Sequence, residues 1–132
     1  MEQPVRNPFT WVEIYVSDMA RAQTFYEAVL QQQLVAMPMP DTEVLAGMQM
    51  LSFPFTEGRP NISGALVKME NRSPGSGGTL VYFACADCSS EISRVEAAGG
   101  KVLQPKFSIG DYGFCGICID TEGNTIGFHS MT

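Results

Sequence analysis

The chain is predicted to be an α+β protein in which one βαβββ unit is written twice. Three observations lead there. Trp11 to Tyr26 reads as a strand that turns directly into a helix. Gly78 to Ala98 repeats that order, and in each half further strand-like segments follow. Between the halves lies Asn71-Arg-Ser-Pro-Gly-Ser-Gly-Gly78, a turn-rich connector with the composition of a flexible linker.

The first strand carries the most chemistry. Successive strand side chains point to opposite faces. Val12, Ile14 and Val16 therefore make one apolar face, while Trp11, Glu13 and Tyr15 share the other. Two aromatics around a carboxylate suit the wall of a cavity better than plain core. Ser17 or Asp18 can then cap a helix by accepting from an orphan backbone donor. Ala22, Phe25, Tyr26, Val29 and Leu30 recur at helical spacing and would cover the valine–isoleucine face. Strand character returns at Gln33 to Pro38, from Glu43 to Phe55, and from Asn61 to Met69.

In the second half the strand is Gly78 to Cys85 and Asp87 is the cap. Ile92, Val95 and Ala98 make a short stripe that stops at Gly99-Gly100, where glycine can take left-handed geometry. Strands are expected at Lys101 to Pro105, Tyr112 to Asp120 and Asn124 to Ser130. The Phe107 to Gly113 loop, with two glycines around an acid and an aromatic, suits a flap. Neither half could bury its sheet alone, so residues 1–132 are read as a single domain. Module one runs from about 9 to 70, the linker from 71 to 78, and module two from about 79 to 131.

Composition narrows the partners. The net charge of −6 comes from scattered acids with no basic run, which disfavours nucleic acid and anionic membranes. No apolar stretch approaches the roughly 20 residues of a membrane span. Met1 to Phe9 lacks the n- and h-regions of a signal peptide, so a cytoplasmic location is expected. Cys85-Ala-Asp-Cys88 and Cys115-Gly-Ile-Cys118 imitate zinc-ribbon spacing. On a strand, however, Cys115 and Cys118 face opposite sides. The favoured reading is four reduced thiols acting as small hydrophobes, with structural zinc or a redox pair as alternatives.

Three segments carry a family resemblance: Val16-Ser-Asp-Met-Ala-Arg-Ala-Gln-Thr-Phe-Tyr26, Val95-Glu-Ala-Ala-Gly-Gly-Lys-Val102 and the hairpin Asp120-Thr-Glu-Gly-Asn-Thr-Ile-Gly-Phe-His129. With the repeat, they resemble the vicinal oxygen chelate superfamily of glyoxalases, bleomycin-resistance proteins and extradiol dioxygenases. The resemblance implies that the two modules form a cupped, mostly antiparallel sheet with helices on the convex face. It also implies a homodimer and a divalent metal held by the first and last strands of each module. The corresponding positions here are Trp11, about Leu80 and about Gly127, while Asn61 to Met69 offers no His, Asp or Glu before Glu70. None of these side chains donates a lone pair to a metal, so no cofactor is predicted. A non-standard divalent site using Glu13 and His129, one pleat from Trp11 and Gly127, is the alternative.

Glu13 and His129, the only histidine, are therefore the candidate catalytic residues, expected to project toward one cup as an acid–base pair. The expected ligand-binding wall comprises Trp11, Tyr15, Met48, Met50, Phe53, Leu80, Tyr82, Tyr112 and Gly127. Methionines adapt to irregular ligands and aromatics supply stacking surface. Two functions remain open. One is a small-molecule binding protein that works without the usual metal. The other is a lyase or isomerase of glyoxalase type that uses Glu13 and His129.

Overall fold

The computed structural model describes residues 11–39, 41–43, 45–54, 62–70 and 72–132. Module one contains β1 (Trp11–Tyr15), α1 (Met19–Leu30), β2 (Val35–Ala36), β3 (Gln49–Ser52) and β4 (Ser63–Lys68). Module two contains β5 (Val81–Ala84), α2 (Cys88–Val95), β6 (Lys101–Ser108), β7 (Phe114–Ile119) and β8 (Thr125–Ser130). The βαβββ plan is thus present twice.

Each module makes its own four-stranded sheet, in the orders β1-β4-β3-β2 and β5-β8-β7-β6. The first strand pairs parallel to the last in both modules, and every other ladder is antiparallel. The helices start where the aspartates allow. Asp18 accepts from the Arg21 N–H at 3.0 Å and Asp87 from the Ser89 N–H at 3.0 Å, each satisfying a donor the helix cannot. Beyond α2, Gly99 takes φ 102°, as the glycine pair predicts.

Several elements differ in extent from expectation. Strand structure in the second segment of module one is limited to Val35–Ala36. In the third, it begins only at Gln49, because residues 45–47 form a turn in which the Met48 N–H donates to the Leu45 carbonyl. Phe55 and Asn61, expected strand ends, lie outside the described residues, as does the start of module one near residue 9. Conversely, β6 runs through Pro105 to Ser108. It tolerates the missing proline donor because β6 is an edge strand with register shifts.

One core serves both modules. Ile14, Val16 and Leu66 of the first sheet, with Phe25, Tyr26 and Val29 of α1, cluster with Ile92, Val95, Cys118 and Phe128 of module two. Tyr26 stands at the seam, with its ring 5.8 Å from Phe53 and 5.9 Å from Phe83. Phe53 and Phe83 themselves meet at 5.7 Å. The helix-bearing faces of the two sheets are therefore turned toward each other.

Polar contacts fix that arrangement. The buried Tyr26 hydroxyl donates to Asp120 Oδ2 at 2.6 Å, and burial followed by the Asp120 charge keeps the phenol protonated. Glu122 Oε1 accepts from the Ser17 and Asp18 N–H groups, each at 2.9 Å. Its Oε2 meets Arg21 Nε at 2.7 Å. Burial alone would raise the Glu122 pKa, but Arg21, the two amides and Thr121 outweigh it and bring the value down to about 2.

Two tests follow from this seam. Tyr26→Phe should cost on the order of 1–3 kcal/mol in urea denaturation, the range for a buried bond to a charged group. An unchanged midpoint would show the bond to be dispensable. Glu122 has a folded value below its ordinary 4.5, so its contribution is complete above that pH and is lost as pH falls toward 2. Melting temperatures of wild type and Glu122→Gln should therefore converge below pH 3, with wild type the more stable at pH 7.

Candidate functional site

Register assigns most of the candidate residues to a face. In module one, Trp11 aligns with Ser63, Glu13 with Ala65, and Tyr15 with Val67, which itself aligns with Met50. These residues form the face opposite the core. In module two, Tyr82 aligns with Gly127, and His129 with Ala84 and Cys115, again opposite the core. The alternation predicted for Trp11, Glu13 and Tyr15, and for Gly127 and His129, is present.

On the first outer face Glu13 is clamped by its own strand. Its Oε1 accepts from the Tyr15 hydroxyl at 2.9 Å and its Oε2 from Trp11 Nε1–H at 3.3 Å. Residues two apart share a face, so one strand brings two aromatic donors to a carboxylate, with Arg72 also beside Tyr15. Burial first, then the hydrogen bond to Glu13, raises the Tyr15 pKa, which keeps that hydroxyl a donor. The result is a half-buried rail of ring, carboxylate and ring.

The second outer face is built around a glycine. A Cβ at Gly127 would run into the ring atoms of Tyr82, so the absence of a side chain lets that ring lie flat on the sheet. Tyr82 remains 49% exposed, a stacking surface. His129 Nε2 lies 2.7 Å from the Tyr112 carbonyl oxygen. Tyr112 sits in the short 3-10 turn Gly110–Tyr112, where the sequence places a flap, and its side chain is 76% exposed.

Glu13 and His129 do not meet in one chain. Each occupies the outer face of its own sheet, and the shared core lies between those sheets. Phe53 is a correction of another kind. It continues the face of Leu51 and packs on Tyr26, so it belongs to the core side and not to the outer wall. Met48 is half-buried just before β3, and Leu80 is exposed just before β5.

Between the modules, on the core side of β1, lies a cleft of about 730 Å³. Val12, Ile14, Leu30, Phe53, Val81 and Phe83 line it, with Leu80, Tyr82 and Glu91 also on its wall. Sequence reading picked out Phe53, Leu80 and Tyr82 but missed the cleft itself, because most of its lining comes from helix-facing residues of two modules, which look like ordinary core until the modules are docked.

The donor chemistry at the family's ligand positions does not suit a divalent ion. Trp11, Leu80 and Gly127 bring no lone pair, and Glu13 uses one lone pair of each oxygen to accept from Trp11 and Tyr15. Cys115 and Cys118 align with His129 and Ile126 and so point to opposite faces, as expected. Burial raises the Cys115 pKa, pushes Cys118 to about 11 and, with Glu91, pushes Cys85 to about 12. These thiols stay protonated, as small hydrophobes would.

Comparison with known proteins agrees with the fold. The model for the Glyoxalase/Bleomycin resistance protein/Dioxygenase superfamily matches residues 9–128. A glyoxalase I mutant from Zea mays superposes with a TM-score of 0.68 at 18% identity, over 94% of this chain and 47% of that one. The present chain thus spans about half the length of the maize protein. TnmS3, an antibiotic binding protein from Streptomyces sp. CB03234, superposes with a TM-score of 0.64 at 20% identity, covering 98% and 100% of the two chains. A glyoxalase/bleomycin resistance protein from the same organism gives 0.65 at 22% identity, covering 92% and 98%. No protein of curated function matches the chain in sequence.

The ring-on-glycine arrangement has a direct spectroscopic consequence. The Gly127 Hα protons should be shifted upfield by the Tyr82 ring in the proton NMR spectrum. Tyr82→Leu should remove that shift while leaving the fold intact. A spectrum unchanged at Gly127 would mean the ring stands off the sheet.

Proposed function

The chain belongs to the Glyoxalase/Bleomycin resistance protein/Dioxygenase superfamily, and on that premise we propose that it is a small-molecule binding protein that holds its ligand without a protein-bound metal. The observation that carries this reading is the clamped carboxylate. Glu13 has both oxygens engaged by Trp11 and Tyr15, which makes it a carboxylate held in place between two aromatic side chains. Such a surface attracts an aromatic cation through ring faces and charge together. TnmS3, an antibiotic binding protein of the same fold, supports reading this chain as a small-molecule binder.

The binding cup, in this reading, is completed by a second copy of the chain. The outer faces of the two sheets lie on opposite sides of the shared core, so the rail of one protomer needs the Tyr82–Gly127–His129 face of its partner to close a pocket. A homodimer supplies two such pockets by symmetry. No helix among the described residues is long and apolar enough to cross a membrane. The protein is proposed to act in the cytoplasm.

The competing reading is a glyoxalase-type lyase or isomerase with Glu13 as base and His129 as partner. It requires Glu13 to be released from its two donors and an imidazole to arrive from another copy. Turnover that Glu13→Gln abolishes would establish that reading.

Trp11 is the only tryptophan, so intrinsic fluorescence reports on the rail directly. Titration with aromatic cations should quench it, and Glu13→Gln should weaken their binding about tenfold, on the order of 1.4 kcal/mol. Neutral aromatics of the same shape should be little affected. Equal affinity of wild type and variant for the cations would remove the charge from the recognition. Native mass spectrometry of untagged protein checks the dimer and any retained ligand in one measurement.

A further inference from the structure

The backbone of the flap turn reaches the only histidine of the chain. His129 Nε2 lies 2.7 Å from the Tyr112 carbonyl oxygen, a full hydrogen-bond distance. A carbonyl oxygen only accepts, so the nitrogen facing it must carry the proton. A neutral imidazole has one N–H, which leaves Nδ1 with a lone pair.

The turn that presents this carbonyl is itself held on both sides. The Ile109 N–H donates to the Gly113 carbonyl at 2.8 Å and the Gly113 N–H to the Gly110 carbonyl at 3.2 Å. The Gly110 N–H donates to Ser108 Oγ at 3.1 Å. Gly113 adopts φ 105°, and a Cβ there would run into the Ser130 carbonyl, which anchors the turn against the end of β8. The cross-strand neighbours of His129 on its own face are Ala84 and Cys115. Both are short, and burial keeps the thiol protonated. The imidazole is thus the polar group that this part of the outer face offers.

We propose that the Tyr112 carbonyl locks His129 as its Nε2–H tautomer, so that Nδ1 serves the ligand as a hydrogen-bond acceptor and selects molecules that bring a donor there. Tyr112 is then a positioning residue that acts through His129 by its main chain, whatever its side chain does. The selection rests on the binding function proposed above, whereas the tautomer does not. With Glu13 accepting on one wall and Nδ1 on the other, both walls ask the ligand for N–H or O–H groups. Ammonium-bearing aromatics meet both requirements; carboxylates and phosphates meet neither.

The test uses untagged, ¹⁵N-labelled full chain, in which a single imidazole gives an unambiguous long-range proton–nitrogen spectrum. At a pH where the ring is neutral, the Nε2–H pattern alone is expected. An Nδ1–H pattern, or averaging of the two tautomers, overturns the proposal. Gly113→Val, which forces the turn off the sheet, should produce averaging. Retention of the single tautomer in a folded Gly113→Val protein would also overturn it, because the carbonyl would not be its cause. If that variant does not fold, Ser108→Ala loosens the same turn more gently and is read in the same way.

Titration with phenethylamine and with phenylacetate, which share a ring but differ in donor and acceptor, then reads the selection. The Nδ1 resonance should move with the amine only. A shift with phenylacetate overturns the selection. No shift with either, over an intact Nε2–H pattern, counts against the binding function itself and leaves the tautomer standing.

Discussion

The turn between β7 and β8 holds this molecule together. Asp120 takes the Tyr26 hydroxyl, Glu122 takes the Ser17 and Asp18 amides just before α1 and the Arg21 guanidinium, and the Asn124 side chain donates to the Tyr15 carbonyl at 2.9 Å. Three residues of module two thus read the end of β1, the start of α1 and its buried face. Carboxylates at a helix N-terminus are favoured by its unpaired donors and its dipole, and here the helix belongs to the other module. The hydrophobic effect brings the two apolar faces together without choosing an angle. These directional bonds choose it.

Much else depends on that choice. With the helix-bearing faces turned inward, the faces carrying Trp11, Glu13 and Tyr15 and carrying Tyr82, Gly127 and His129 are turned outward. The cleft between the modules exists because the sheets meet at Phe53, Tyr26 and Phe83 without either edge strand, β1 or β5, pairing with the other. The proposed recognition surfaces and the core are thereby separated. The side chains that would meet a ligand contribute little to holding the modules in place.

The fold was legible in the sequence because it rests on local signals that act twice. Strand alternation gave the face of Glu13, the aspartates gave both helix starts, and the glycine pair after α2 gave its end. Position along the pleat also predicted that Gly127 and His129 share a face. What the sequence concealed was tertiary. Phe53 and Met50 have the same residue character as far as packing is concerned, and only the register of β3 against β4 decides which faces the core. The separation of Glu13 from His129 depends on how two modules dock, which no local pattern encodes. The acceptor for His129 is a main-chain carbonyl, and main-chain atoms are the same at every position until the turn is formed.

The ring of Tyr82 resting on Gly127 bears on how this protein's history can run. By the resemblance, Gly127 stands near a position where a metal-holding relative would carry a ligand. To place one there, a carboxylate or imidazole would have to occupy the space already filled by the tyrosine. The first mutational step would evict the ring and lose its stacking surface before any ion could be held. A second change at Tyr82, and a third at Trp11, would be needed before coordination began to compensate. The ring and any such side chain compete for one volume, so the stacked ring acts as a ratchet against that change.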